Sequence, residues 1–123
     1  MVRAVGYTVV VCTADGCRTL LSERLLSELR RVVGTSRFGI LVVSGCTLGG
    51  VACRLRAPGP LIAVQPCDVQ RNPVGPAIRV GPLRAAADIA ELVRWLRRGR
   101  FDAEDLPGHM VATHRAIGAA VAN

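Results

Sequence analysis

Two apolar, β-branched runs, residues 5–12 and 38–44, each deliver the chain into a loop that carries cysteines. One amphipathic segment separates them, so this part of the chain reads as strand, helix, strand. Near-continuous apolar strands are typical of sheets covered on both faces. The pattern hangs two pairs of thiols, Cys12 with Cys17 and Cys46 with Cys53, from strand ends, where four sulfurs can converge on one metal centre.

Between the runs, Leu21, Leu25, Leu29 and Val32 recur at helical spacing from Arg18 to Val33, and Leu20, Leu26 and Val33 widen the stripe. Asp15 is the expected N-cap and Gly34 the expected C-cap. Beyond the punctuation Pro58-Gly59-Pro60, the sequence predicts a third strand over Leu61–Val64, ended by Pro66, and a polar loop from Asp68 to Pro76. A fourth strand over Ala77–Val80 and a second helix over Leu83–Arg98, closed by Gly99, follow. Ile89, Leu92, Val93 and Leu96 form the apolar face of that helix, with Trp95 at the core edge. After Phe101 comes the acidic run Asp102-Ala103-Glu104-Asp105, then an Ala-rich weak helix from about Met110 to Val121. Read as lacking large apolar residues, this tail is expected to be a loosely docked appendage or a partner-binding arm. The order of elements predicts an α/β (α+β) domain over residues 1–100, a four-stranded mixed sheet with two main helices, and a C-terminal extension over 101–123 with a short helical tail.

At 123 residues, half of them apolar, the chain suits a single core. Its basic side chains are all arginine, sixteen against nine acids, for a formal net charge of +7, which favours acidic partners. The arginines are spread along the chain and accompanied by only four aromatic residues, which argues against nucleic-acid binding. No stretch approaches the ~18 apolar residues that span a bilayer. The apolar run after Met1-Val2-Arg3 is too short for a signal peptide. Five cysteines, an odd number, fit a reducing compartment better than a secreted disulfide framework. The expectation is a cytoplasmic protein without membrane insertion.

Thiolates are soft ligands that satisfy zinc or an iron–sulfur cluster. The spacings Cys12-x4-Cys17 and Cys46-x6-Cys53 exceed the two-residue knuckles common in structural zinc sites and suit a larger centre with two metal ions. A thiol–disulfide catalyst calls for Cys-x-x-Cys at a helix start, which this sequence lacks. Taken singly, Cys12 at the end of an apolar strand also suits a packed core residue. Cys17 shares a polar turn with Asp15, and Cys46 follows Gly45 at a strand end, so packing alone explains neither. Cys53 and Cys67 are ambiguous on this ground. His109 and His114 stand five apart, off a common helical face, and read as surface residues. Gly45-x3-Gly49-Gly50 lacks the Lys-Ser/Thr of a phosphate-binding loop.

The strand ending in Cys12-x4-Cys17, the amphipathic helix, the second strand ending in Gly45-Cys46, the Pro/Gly-bearing third strand, and Ile78-Arg79-Val80-Gly81-Pro82 before the last helix together resemble the thioredoxin-like [2Fe–2S] ferredoxins. That family includes the small cluster-bearing subunit of NADH:quinone oxidoreductases and related NAD-linked dehydrogenases. The resemblance covers roughly residues 5–98 and implies a thioredoxin-like domain with Cys12, Cys17 and Cys46 as iron ligands. The family's second pair is usually Cys-x3-Cys, which falls on Gly50 here; Cys53, three residues later, is the implied fourth ligand, with Cys67 in reserve.

The function so implied is one-electron transfer, as a carrier or as a subunit of a redox enzyme, with no acid–base catalyst in the chain itself. An Arg-rich face would dock an acidic redox-partner protein; the family commonly forms dimers or sits within larger complexes. Arg18, Arg54 and Arg56 neighbour ligand cysteines and, if near in space, would raise the cluster potential. Two other readings remain from the residues: a cluster-free thioredoxin-like accessory or interaction module, and a zinc-stabilised binding domain.

Overall fold

The computed structural model describes residues 4–12, 20–44 and 59–111. Strands β1 (Gly6–Cys12), β2 (Gly39–Ser44), β3 (Ile62–Cys67) and β4 (Ile78–Val80) form one mixed sheet in the order β2-β1-β3-β4. Helix α1 (Leu20–Thr35) joins β1 to β2, which pair in parallel, while helix α2 (Ala86–Arg98) follows the antiparallel pair β3 and β4. A parallel βαβ half and an antiparallel ββα half thus share the sheet, joined where β3 runs antiparallel to β1. The expected α+β class and four-stranded mixed sheet are both present.

Strand alternation assigns the two faces. Tyr7, Val9 and Val11 of β1, Ile62 and Val64 of β3 and Val80 of β4 face one side. There they meet Leu25, Leu29 and Val32 of α1 and Ile89, Leu92, Trp95 and Leu96 of α2, all buried. Both helices therefore cover the same face. The other face carries Thr8, Val10 and Cys12 beside Ile40 and Val42, which are 44% and 40% exposed. The second apolar run is thus an edge strand rather than a fully buried one; an apolar run reports hydrophobicity, not rank in the sheet.

Helix α1 ends differently from the sequence expectation. Gly34 lies inside it, and the last turn is closed by hydroxyls: Thr35 Oγ1 donates to Arg31 O and Val32 O, and Ser36 Oγ donates to Val32 O at 2.7 Å. Of these carbonyls, Val32 O is one that the helix itself leaves without a partner. The Tyr7 hydroxyl bonds Ser36 Oγ at 2.8 Å, tying the helix end to β1. Leu20, which the periodicity placed in the stripe, is 99% exposed. The expected N-cap Asp15 lies outside the described residues.

Strand β3 runs through Pro66 to Cys67 instead of stopping before it. Pro66 O accepts from Val74 N on the side away from β1, where β4 has already ended, so the missing proline N–H breaks no ladder bond. Helix α2 ends as expected at Gly99, with φ 71° in the left-handed region.

As far as Val111, the segment after α2 is not the loosely docked tail that was expected. Leu106, Met110 and Val111 are buried in the same core, and Gly81 N donates to Met110 O at 2.7 Å. Phe101 packs against both Tyr7 and Trp95, with ring centroids 5.6 and 5.8 Å apart. Trp95 Nε1–H donates to Asp102 O at 2.8 Å. Residues 112–123, which hold most of the expected Ala-rich helix from Met110 to Val121, lie outside the described residues. Among the described residues no helix is long and apolar enough to cross a membrane.

Candidate metal centre

Cys12 is the last residue of β1 and 2% exposed. Its backbone is held on the β3 side, where Cys12 N donates to Leu61 O at 3.0 Å. Alternation turns its side chain away from the face that packs under the helices, and it takes no part in the main core cluster. The thiol is free, with no disulfide among the described residues.

The parallel register pairs Cys12 with Ser44, the last residue of β2. Adjacent strands lie about 4.8 Å apart, so the chain leaves the sheet toward Cys17 and toward Gly45-Cys46 from neighbouring positions at the same end. β3 enters at that end too, since Ile62 pairs with Val11. The described residues that flank positions 45–58, Ser44 and Ile62, therefore both lie toward this sheet end. Cys17, Cys46 and Cys53 themselves lie outside the described residues, as do Arg18, Arg54, Arg56, Gly49, Gly50 and His114.

Cys67 is placed elsewhere. It pairs with Gly6, at the opposite end of β1 from Cys12, about 20 Å away at ~3.3 Å rise per strand residue. Metal–sulfur bonds of ~2.3 Å require ligand sulfurs to cluster tightly, so Cys67 cannot share a centre with Cys12. Its reserve role as a fourth ligand is withdrawn. Instead Cys67 is buried, its Sγ 3.2 Å from Gln65 O. Among the described residues no three His, Cys, Asp or Glu side chains gather as a metal site. Cys12 is a soft donor at a strand end, beside the end of β2.

Two polar constellations escaped the sequence reading. At the Cys67 end, the Arg71 guanidinium crosses the start of β1, donating to Phe38 O at 2.7 Å and to Thr8 Oγ1 at 2.8 Å. Asp68 shapes its loop by accepting from Gln70 N and Asn72 N, both at 2.9 Å, while Arg71 itself takes a left-handed φ of 68°. Nothing in the local sequence marks this arginine among sixteen. At the start of α2, Asp88 accepts from Arg84 N at 2.8 Å and lies 2.9 Å from His109 Nε2. An acid in a first helical turn is the usual capping signal, so half of this pair was open to sequence reading. Burial pushes the Asp88 carboxyl up, but the Arg84 amide and the bond and charge of His109 outweigh it and hold the group below the ordinary aspartate value. His109 is thus fastened to α2 as a structural partner.

Comparison with known protein families, with curated proteins and with solved structures returns no match to this chain.

Proposed function

We propose that this chain is a thioredoxin-like [2Fe–2S] electron-transfer protein whose cluster is held by Cys12, Cys17, Cys46 and Cys53. The observation that carries this reading is the Cys12–Ser44 register, which starts both cysteine loops side by side at one end of the sheet. The mixed four-stranded sheet with its βαβ and ββα halves is compatible with the thioredoxin-like resemblance. When bound, such a cluster supplies one-electron redox chemistry. The chain's own part is to present thiolates, keep Cys12 out of water and set the local charge; Arg18, Arg54 and Arg56 are the nearest basic residues in sequence.

The deciding experiment is anaerobic purification followed by metal and sulfide analysis. About two iron and two acid-labile sulfide per chain, with visible absorption that bleaches on reduction, is the expected result. Colourless protein without iron or sulfide, even after reconstitution, overturns the reading. Zinc at one per chain would replace it with a zinc-stabilised binding domain.

A further inference from the structure

Helix α2 carries a second apolar stripe beside the one it buries. Ala86, Ala90 and Val93 recur at helical spacing, with the edge of Ile89 between them, and together they floor a groove of about 530 Å³ between α2 and α1. Ala86 and Ala90 are small, which is why the two helices leave this space open instead of interlocking there. Arg24 of α1 and Arg94 and Arg97 of α2 rim the groove against a single acid, Glu28. Arg94 is paired with Glu91, and Glu28 lies 4.0 Å from Arg31. Arg24 and Arg97 have no carboxylate partner among the described residues, and both are exposed.

We propose that this groove docks an acidic amphipathic helix of a partner protein, its apolar face on Ala90 and Val93 and its carboxylates on Arg24 and Arg97. An apolar floor between charged rims is the form that receives such a helix, and these two guanidiniums, without a carboxylate partner among the described residues, supply the charge complementarity. A second copy of this chain is the wrong occupant, because its net charge of +7 opposes the same rim. The chain's own acidic run is engaged elsewhere: Asp102 caps a short 3₁₀ turn over Ala103–Asp105 and its carbonyl accepts from Trp95. A small anion would want converging polar donors in the floor, where there are aliphatic side chains. Single-stranded nucleic acid would want aromatic platforms, and no aromatic residue lines the groove. The site stands apart from Cys12, so the proposal holds whether or not the chain carries a cluster.

The test is fluorescence polarisation with a fluorescein-labelled helical peptide bearing leucines on one face and glutamates on the other. It is run on protein with and without iron, which separates its outcome from that of the cluster analysis. Wild type is expected to bind, more weakly as salt rises toward about 0.15 M. The double variant Arg24→Glu/Arg97→Glu is expected to bind about tenfold more weakly or worse, the scale of two reversed rim charges. Ala90→Trp, a change at an exposed position that fills the groove, is expected to weaken binding likewise, while Arg79→Glu on the far face of the sheet leaves it intact. Circular dichroism checks that each variant is folded. Absence of binding, equal binding by the double variant, equal binding of a peptide of the same composition with its leucines dispersed, or equal displacement by pyrophosphate or single-stranded RNA would each overturn the proposal.

Discussion

His109 Nε2 and Asp88 Oδ1 are 2.9 Å apart across 21 residues of sequence, fastening the segment after α2 to the first turn of that helix. The same carboxylate accepts from Arg84 N, so one buried acid serves the helix start and the returning chain together. Because the folded state lowers the Asp88 pKa, its contribution is present above the unfolded value of about 3.9 and is lost as pH falls through the folded one. Asp88→Asn should cost about 1–3 kcal/mol at neutral pH and flatten the acid limb of stability. Denaturant melts of both proteins between neutral and acid pH measure the difference; parallel acid limbs would assign that limb to other carboxylates.

The strand register makes a sharp distinction among the cysteines. In iron-loaded protein, Cys12→Ser and Cys53→Ser should alter or bleach the visible spectrum, whereas Cys67→Ser, at the opposite end of the sheet, should leave it unchanged. Absorption and circular dichroism in the visible range read the outcome directly.

Tyr7 joins β1 to the end of α1 through Ser36 and packs at a tilt against Phe101. Burial raises its pKa above 10, with the Ser36 bond and the Arg97 charge drawing it partly back. A raised pKa stabilises the fold below the unfolded value of about 10 and ceases to do so as pH rises through the folded one. Tyr7→Phe should therefore lose about 1 kcal/mol at neutral pH and less under strongly alkaline conditions. Thermal unfolding on both sides of pH 10 checks the sign.

Arg71 carries the junction between the Asp68 loop and the start of the sheet, with guanidinium bonds to Phe38 O and Thr8 Oγ1. Arg71→Ala should cost about 1–3 kcal/mol by leaving those acceptors short of a charged donor. Hydrogen exchange should rise at the start of β1 and in the 68–74 loop more than in α2.

Trp95 is 1% exposed, and its indole N–H holds Asp102 O at 2.8 Å. Trp95→Phe should lose roughly that hydrogen bond and some packing, about 1–2 kcal/mol, while Trp95→Ala should cost about 3–5 kcal/mol. The ranking by urea denaturation, Ala far worse than Phe, identifies the ring as a core element.

The strand, helix, strand order of the first half was legible in the sequence because apolar period and β-branching act locally, and so was the stop at Gly99, where a left-handed φ suits glycine. Which cysteines share an end of the sheet was not legible, since spacing along a chain does not say at which end of a sheet a strand releases it. Tertiary structure decided that Cys12 and Cys67 stand at opposite ends, because antiparallel pairing reverses β3 against β1. It decided that β2 is an edge strand and that Leu106, Met110 and Val111 belong to the core. The sequence by itself determined that the chain is strongly basic, but only the packing of α1 against α2 brings Arg24 and Arg97 to one groove, because residues distant along the chain become neighbours only when their helices share a face of the sheet.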